Sequence, residues 1–488
     1  SQAALEPGHP TQRRLAYDEL LANQLALAMI RAASRKLKGR AIVGDGRLRQ
    51  ALRAALPYQL TEGQEQVLGE IQADMAQPLR MLRLLQGDVG SGKTVVALMA
   101  MLGAVGTGSQ AAFMVPTEIL ARQHFNTLVA LCRNMPIKIQ VLTGRSKGSP
   151  RQAILGDLAD GTTDILIGTH ALFTEDVIFR DLALTVIDEQ HRFGVHQRLN
   201  LGDKGVGADV LVMTATPIPR TLSLTIYGDM DISLLHGKPH GRQPIETRAM
   251  PHSRLDEVVA GLQRAVNNGA RAFWVCPLVE ENEQLDLAAA EERHATLAKI
   301  FGPGQVGLVH GRMKAKEKDL AMQAFVSGQT KVLVATTVIE VGVDVPEATI
   351  MTVEHAERFG LAQLHQLRGR VGRGGRQCHC LLLYTEPLGE MARARIAVMR
   401  ETEDGFRIAE EDLRLRGTGE LLGTRQSGFP AFRLADPLLH QDLMEVARDD
   451  ARLILTRDPH LESERGQALR ALLYLFERDA AVKLLRSG

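Results

Sequence analysis

The sequence predicts an α/β protein: two tandem domains, each built on a parallel sheet, with a helical segment before them and a helical region after. Three observations predict it. Between about Leu60 and Leu235, short apolar runs alternate with helical stretches ("AAFMVPT", "KIQVLTG", "DILIGT", "LTVIDE", "VLVMTAT"). That is the rhythm of βα units feeding a parallel sheet. A glycine- and proline-rich stretch, "HGKPHGRQPIE" (236–246), then reads as a linker. Beyond it the rhythm restarts with "RAFWVCPL", "VGLVHG", "TKVLVATT", "ATIMTVEH" and "CHCLLLY", before turning helical past about Pro387.

At 488 residues the chain is too long for one core. The punctuation divides it into an N-terminal linker-helix region (1–56), a first sheet domain (57–238), a second (239–388) and a C-terminal region (389–488). "RRLAYDELLANQLALAMIRAASRKLKG" (13–39) repeats leucine and alanine at helical spacing and reads as one long amphipathic helix closed by Gly39. "PLLHQDLMEVARDDARLIL" and "ALRALLYLFERDAAVKLL" read as terminal helices. Apolar content of 45% and charged content of 24% describe an ordinary soluble globular chain. With 58 Lys and Arg against 57 Asp and Glu, the net charge is +1, so any nucleic-acid surface must be a local patch. Arginine outnumbers lysine, which fits phosphate recognition and equally fits genomic base composition. Cys132, Cys276, Cys378 and Cys380 lack zinc-site spacing, and the alternating "CHCLLLY" places the last two in a core strand. Scattered thiols, no secretory signal and no membrane-length apolar run point to the cytoplasm. The chain begins at Ser1 rather than methionine, as a processed or truncated form of something longer would.

"GDVGSGKT" (87–94) fits G-x-x-x-x-G-K-T, after the strand-like "MLRLLQ" and before the helical "VVALMAMLGAV". In such a loop Gly87, Asp88, Val89, Gly90, Ser91 and Gly92 curl their backbone around phosphate oxygens at a helix N-terminus. Lys93 reaches the β and γ phosphates and Thr94 ligates Mg²⁺, so ATP and Mg²⁺ are the expected cofactors. "LTVIDEQH" ends an apolar strand on Asp188, placed to hold the metal, and Glu189, placed to polarise water. "QLRGRVGRGGR" (366–376) carries four arginines and no acid in the second domain. An arginine crossing a cleft stabilises γ-phosphate charge only when the cleft closes. Arg370 and Arg373 share a helical face.

"RLRGTGELLGTRQSGFP" (414–430) has four glycines and reads as a loop. Gly417, Gly419 and Gly423 miss the dinucleotide spacing by one residue, and the preceding "AEEDLRLR" is helix-like rather than a buried strand.

In their order, these segments resemble the motifs of superfamily-2 helicases, whose two domains are RecA-like. "LTEGQ" with Gln64 resembles the adenine-reading glutamine motif. "PTEILARQH", "TGR" and "GTHAL" lie where that family contacts the nucleic-acid backbone, which implies DNA roles for Thr117, Thr143, Gly144, Arg145, Thr169 and His170. "TATPIPRT" resembles the motif coupling hydrolysis to DNA movement, with Thr214 and Thr216; His191 joins them. "HGRMK" with Arg312 and "ATTVIEVGVDVP" with Thr336 and Thr337 match the second domain's strand-contacting motifs, and Gly342 and Asp344 would face the nucleotide. Gln366, Gly369, Arg370 and Arg373 fit Q-x-x-G-R-x-x-R. The resemblance covers nearly everything from Leu60 onward.

"DEQHRFGVHQR", "TATPIPRT" and the 414–430 segment narrow the resemblance to the RecG family of fork-remodelling helicases; "GTRQSG" favours it over the related transcription-repair coupling factors. Residues 410–428 resemble that family's translocation motif, a helical hairpin and loop, implicating Glu410, Arg416, Arg425 and Gln426. The resemblance implies an ATP-dependent helicase and double-strand DNA translocase acting on stalled forks and Holliday junctions. It also implies a monomer with no membrane contact, and a single-strand-DNA-binding protein as a partner. RecG proteins carry an N-terminal wedge domain that nothing before Arg13 can supply, so this chain is expected to keep the ATPase site and bind forks poorly. A coupling translocase would need a polymerase-binding module upstream. A nucleotide-gated DNA scaffold could dispense with Glu189, Arg370 and Arg373. The 4% aromatic content fits backbone tracking better than base stacking.

Overall fold

Strands buried on both faces need apolar residues at most positions, and the runs read from the sequence supply them. The computed structural model describes residues 9–36, 39–144, 146–188, 207–215, 219, 230–237, 243–277, 283–336, 345, 347–372, 375–423, 432–436 and 439–476. The chain opens with α1 (Pro10–Lys36) and α2 (Arg47–Ala55), then runs α3 (Glu62–Met75), β1 (Leu82–Gly87), α4 (Lys93–Val105), β2 (Gln110–Met114) and α5 (Glu118–Leu131). It continues through β3 (Ile139–Leu142), α6 (Gly148–Ala159), β4 (Ile165–Gly168), β5 (Leu182–Ile187), β6 (Asp209–Thr214) and β7 (Asp231–Leu235). These seven strands form one sheet in the order β3-β4-β2-β5-β6-β1-β7, and every pairing is parallel. Helix α4 is apolar all round because it is buried all round, between the sheet and α2 and α3.

The second lobe comprises β8 (Ile245–Pro251), α7 (Leu255–Asn267), β9 (Arg271–Val275), α8 (Glu283–Phe301), β10 (Val306–Val309), α9 (Ala315–Val326), β11 (Val332–Ala335), β12 (Ala348–Val353), α10 (Leu361–Arg368) and β13 (Cys378–Tyr384). Its sheet is ordered β10-β11-β9-β12-β13-β8 and is again wholly parallel. Both sheet domains therefore stand as the sequence predicts, and helices lie at both ends; the part of the last predicted helix beyond 476 lies outside the described residues. All four cysteines are buried free thiols, and burial pushes the Cys380 thiol up to about 12.

Three local readings are corrected. The linker ends earlier than expected: Ile245 and Glu246 open β8, which pairs with β13 at the sheet edge. An edge strand exposes one side and tolerates its polar residues and terminal proline, so it lacks the apolar signature. The first helix starts at Pro10, not Arg13, since proline suits a first helical turn. The segment 414–430 is not a loop throughout, because its first ten residues lie in α12 (Gly405–Gly423), after α11 (Glu390–Glu401). Ile408 and Leu415 pack on the second lobe's core and Leu413 is buried, and that burial outweighs the roughly 1 kcal/mol each helical glycine costs.

The last two helices, α13 (Gln441–Arg457) and α14 (Glu464–Leu475), share a core with α1, through Leu20, Leu25, Met444, Ala447 and Leu473. Glu19 on α1 is 1% exposed, and its carboxylate accepts the backbone N–H groups of Arg433, Leu434 and Ala435, each at 2.8 Å. The two ends of the chain are thus fastened together, and an ion pair from Arg31 to Asp231 fastens α1 to the first sheet. No helix among the described residues is long and apolar enough to cross a membrane.

One buried acid makes stability depend on pH. Asp209, 1% exposed, accepts the Met81 N–H at 2.7 Å, and burial pushes its carboxyl up to about 7. Between about pH 4, the unfolded value, and pH 7 the folded chain holds a proton that the unfolded chain has released, so stability falls as pH rises through that window. Asp209→Asn keeps an acceptor for Met81 without the charge. We expect it to be more stable than wild type by about 1–3 kcal/mol at pH 8, with the gap closing by pH 5. Urea midpoints at the two pH values check this.

Candidate nucleotide and nucleic-acid site

In an open parallel sheet, ligands sit beyond the carboxyl ends of the strands. The phosphate loop leaves β1 there. Gly92 takes φ +89°, a left-handed turn, and a Cβ on it would lie 2.2 Å from Gln64 Nε2, so only glycine fits. Lys93 is 8% exposed, and its Nζ donates to the carbonyls of Gly87 (2.8 Å) and Asp88 (2.9 Å). Thr94 is half-buried on the first turn of α4. Gln64 is 1% exposed. Its Oε1 accepts the Thr61 N–H at 2.9 Å in a capping box, and its Nε2 donates to the Ser91 carbonyl at 2.9 Å. Its amide thereby braces the loop.

Asp188 follows β5, with His124 of α5 3.3 Å from its carboxylate. The strand order puts β6 between β5 and β1, so Thr214, which ends β6, lies between Asp188 and the phosphate loop in the order of strand ends. The three strands on the other side, β3-β4-β2, are followed by Thr143 and Gly144, by Thr169 and His170, and by Thr117. His170 and Gly144 are exposed, whereas Thr143 and Thr169 are buried, and Thr117 caps α5 by accepting from Leu120 N. One half of the sheet's carboxyl end therefore gathers the residues expected at the nucleotide and the other half those expected at DNA. In the second lobe, Arg312 and Thr336 follow the adjacent strands β10 and β11; Arg312 is exposed and Thr336 buried.

The basic segment of the second lobe meets the phosphate loop directly. His365 Nε2 lies 2.5 Å from Asp88 Oδ1. A Cβ placed on Gly369 would be 2.8 Å from both Cβ and Cγ1 of Val89. Gln366 and Arg370 are carried on the same turn, Arg370 being 9% exposed. Glu410 lies on α12, as does Arg416. Arg145, Glu189, His191, Thr216, Thr337, Gly342, Asp344, Arg373, Arg425 and Gln426, with the side chain of Arg416, lie outside the described residues.

Sequence reading missed His124, His365 and Arg368. Each lies inside or beside a quoted motif, but none occupies a motif position, so spacing carries no signal for it. Among the described residues, His252, Glu354 and His355 also bring metal-ligand atoms within 4.8 Å. Arg293 already holds Glu354 through Nε (2.5 Å) and Nη2 (3.0 Å), and the Trp274 indole donates to it as well. Burial opposes ionisation, yet the Arg293 guanidinium keeps that carboxyl below its usual range. The group is a buried ion pair rather than a cation site.

Two parallel-sheet lobes, with a phosphate loop in one and a basic segment of the other packed on it, define a helicase-type motor core. A DEAD/DEAH box helicase model matches residues 61–225 and a helicase conserved C-terminal domain matches 254–375. The RecG domain 3 C-terminal model matches 402–477. The chain is 47% identical over 470 residues to the ATP-dependent DNA helicase RecG of Pasteurella multocida (95% of this chain, 68% of that one). It is 48% identical over 461 residues to that of Escherichia coli K12 (93% and 66%). A solved structure of RecG bound to a three-way DNA junction superposes with a TM-score of 0.75 at 43% identity, covering 89% of this chain and 57% of that one. The chain belongs to the RecG family of ATP-dependent DNA helicases. It spans about two thirds of the length of these curated relatives.

Proposed function

We propose that this chain is the ATP-driven motor of a helicase that translocates on duplex DNA and remodels branched DNA, such as stalled forks and Holliday junctions. The observation that supports this most is the seating of the second lobe's Q-x-x-G-R turn on the first lobe's phosphate loop at Gly369 and Val89. Lys93 binds the β and γ phosphates, Arg370 and Arg373 neutralise charge on the γ-phosphate, Gln366 supports them, and Glu189 orients water. The Thr94 hydroxyl and the partly exposed Asp188 carboxylate are hard oxygen donors that fit Mg²⁺. When bound there, Mg²⁺ supplies charge neutralisation on the phosphates. Gly342 and Asp344 contribute to nucleotide binding. DNA crosses the β3-β4-β2 end of the first lobe and the β10-β11 end of the second, held by its backbone. Thr214, Thr216 and His191 relay closure to those contacts. Segment 410–428, with Glu410, Arg416, Arg425 and Gln426, converts lobe rotation into sliding.

The motor acts as a monomer in the bacterial cytoplasm, at the nucleoid, with a single-strand-DNA-binding protein as partner. Phosphate release titrated with fork, duplex and single-stranded DNA tests the reading. Stimulation by fork and duplex well above single strands is expected. An absence of turnover on every DNA would instead favour a nucleotide-gated scaffold.

A further inference from the structure

Three side chains run in line from the core of the second lobe to the phosphate loop. Arg368 is 2% exposed. It donates to the Met399 carbonyl on α11 (2.6 Å), to Thr247 Oγ1 on β8 (3.4 Å) and to His365 Nδ1 (3.0 Å). A guanidinium has donors only, so Nδ1 must offer its lone pair and the hydrogen sits on Nε2. Nε2 then donates to Asp88 Oδ1 across 2.5 Å, a charge-assisted bond. The same oxygen accepts the Val89 N–H at 2.6 Å, so the histidine grips the loop where it begins to turn. The His365 and Asp88 side chains are only 7% and 11% exposed, and water competes little for the bond.

We propose that His365 is a positioning residue that clasps the phosphate loop to the second lobe and so sets Arg370 in register with Lys93. One end of the imidazole is fixed to the second lobe's core and the other holds the first lobe's loop. A displacement of Asp88 is therefore passed to α10, and Arg370 follows α10 by two residues. The contact uses no atom of nucleotide, metal or DNA. It is a protein-to-protein reading of loop position, made one residue ahead of the Q-x-x-G-R pattern. This inference rests on the reading of the chain as an ATP-driven motor.

Two near-isosteres separate the clasp from simple packing. Gln at position 365 carries an amide N–H to the place of Nε2 and can still reach Asp88; Asn matches Nδ1 and falls short. Fork-stimulated hydrolysis is measured for both, for His365→Ala and for wild type. His365→Ala and His365→Asn are expected to lose about tenfold in kcat with the ATP KM changed less than about twofold, because the lost bond positions the arginine rather than the substrate. His365→Gln is expected to recover to within about threefold of wild type. Dyes on cysteines placed at the exposed Ala159 and Gln329, one per lobe, report closure with a non-hydrolysable ATP analogue. Wild type and His365→Gln should close, and the other two should not. Equal rates for Gln and Asn, or full closure in His365→Ala, would overturn the clasp. A wild-type chain that hydrolyses no ATP would defeat the motor reading instead, and the closure measurement alone would then decide the clasp.

Discussion

Replacing Lys93 with alanine is expected to lower DNA-stimulated ATP hydrolysis by about 100- to 1,000-fold, the loss typical of removing one preorganised charge-stabilising donor. The geometry explains why nothing nearby substitutes for it. The ammonium is 8% exposed and already set at the mouth of the loop by the Gly87 and Asp88 carbonyls. It meets a phosphate without first being ordered. Those contacts suit a compact group with three donors, so Lys93→Arg, which keeps the charge but carries a planar fork, is also expected to lose more than about tenfold. The fold should survive, because α4 is held by its apolar surface rather than by the lysine. Melting within a few degrees of wild type, alongside the rate, checks this. An alanine variant with more than a tenth of wild-type turnover would remove the loop from the chemistry.

Much of this site was legible because it rests on local rules. The phosphate loop needs glycine at Gly92 for its turn and a strand before it; the first can be read in eight letters and the second in the six that precede them. Asp188 ends a run of six buried strand residues, a pattern visible without neighbours. What the sequence did not disclose depends on residues brought together from afar. His365 and Asp88 are 277 positions apart, and neither carries a periodic or compositional mark that pairs it with the other. Glu19 reads as one acid on an amphipathic helix, yet it is buried because three backbone N–H groups arrive from 433–435. The glycines of 414–423 misled in the opposite direction. Local propensity argued for a loop, and side-chain burial earlier in α12 on the second lobe prevailed.

Gly369→Ala is expected to lower kcat by about 100-fold while leaving stability and nucleotide binding nearly unchanged. The backbone at Gly369 is ordinary (φ −66°, ψ −8°), so alanine adopts it without strain and any effect must come from contact. The added Cβ would lie 2.8 Å from Cβ and Cγ1 of Val89, against about 3.5–4.0 Å for carbons at rest. A Cβ cannot rotate away, so the two segments must part by about 1 Å. Arg370 is the next residue and moves with them, and an error of that size at a reacting group costs on the order of 100-fold. The clash falls on Val89, which belongs to neither lobe's core cluster, so the melting temperature should hold. A fluorescent ATP analogue should still bind, since Lys93 and Thr94 are untouched. Gly375→Ala is the control. It lies in the same basic segment, exposed and with nothing within 4 Å of an added Cβ, and should turn over like wild type. Equal rates for the two alanine variants would mean that the approach of the second lobe to the phosphate loop has no part in hydrolysis.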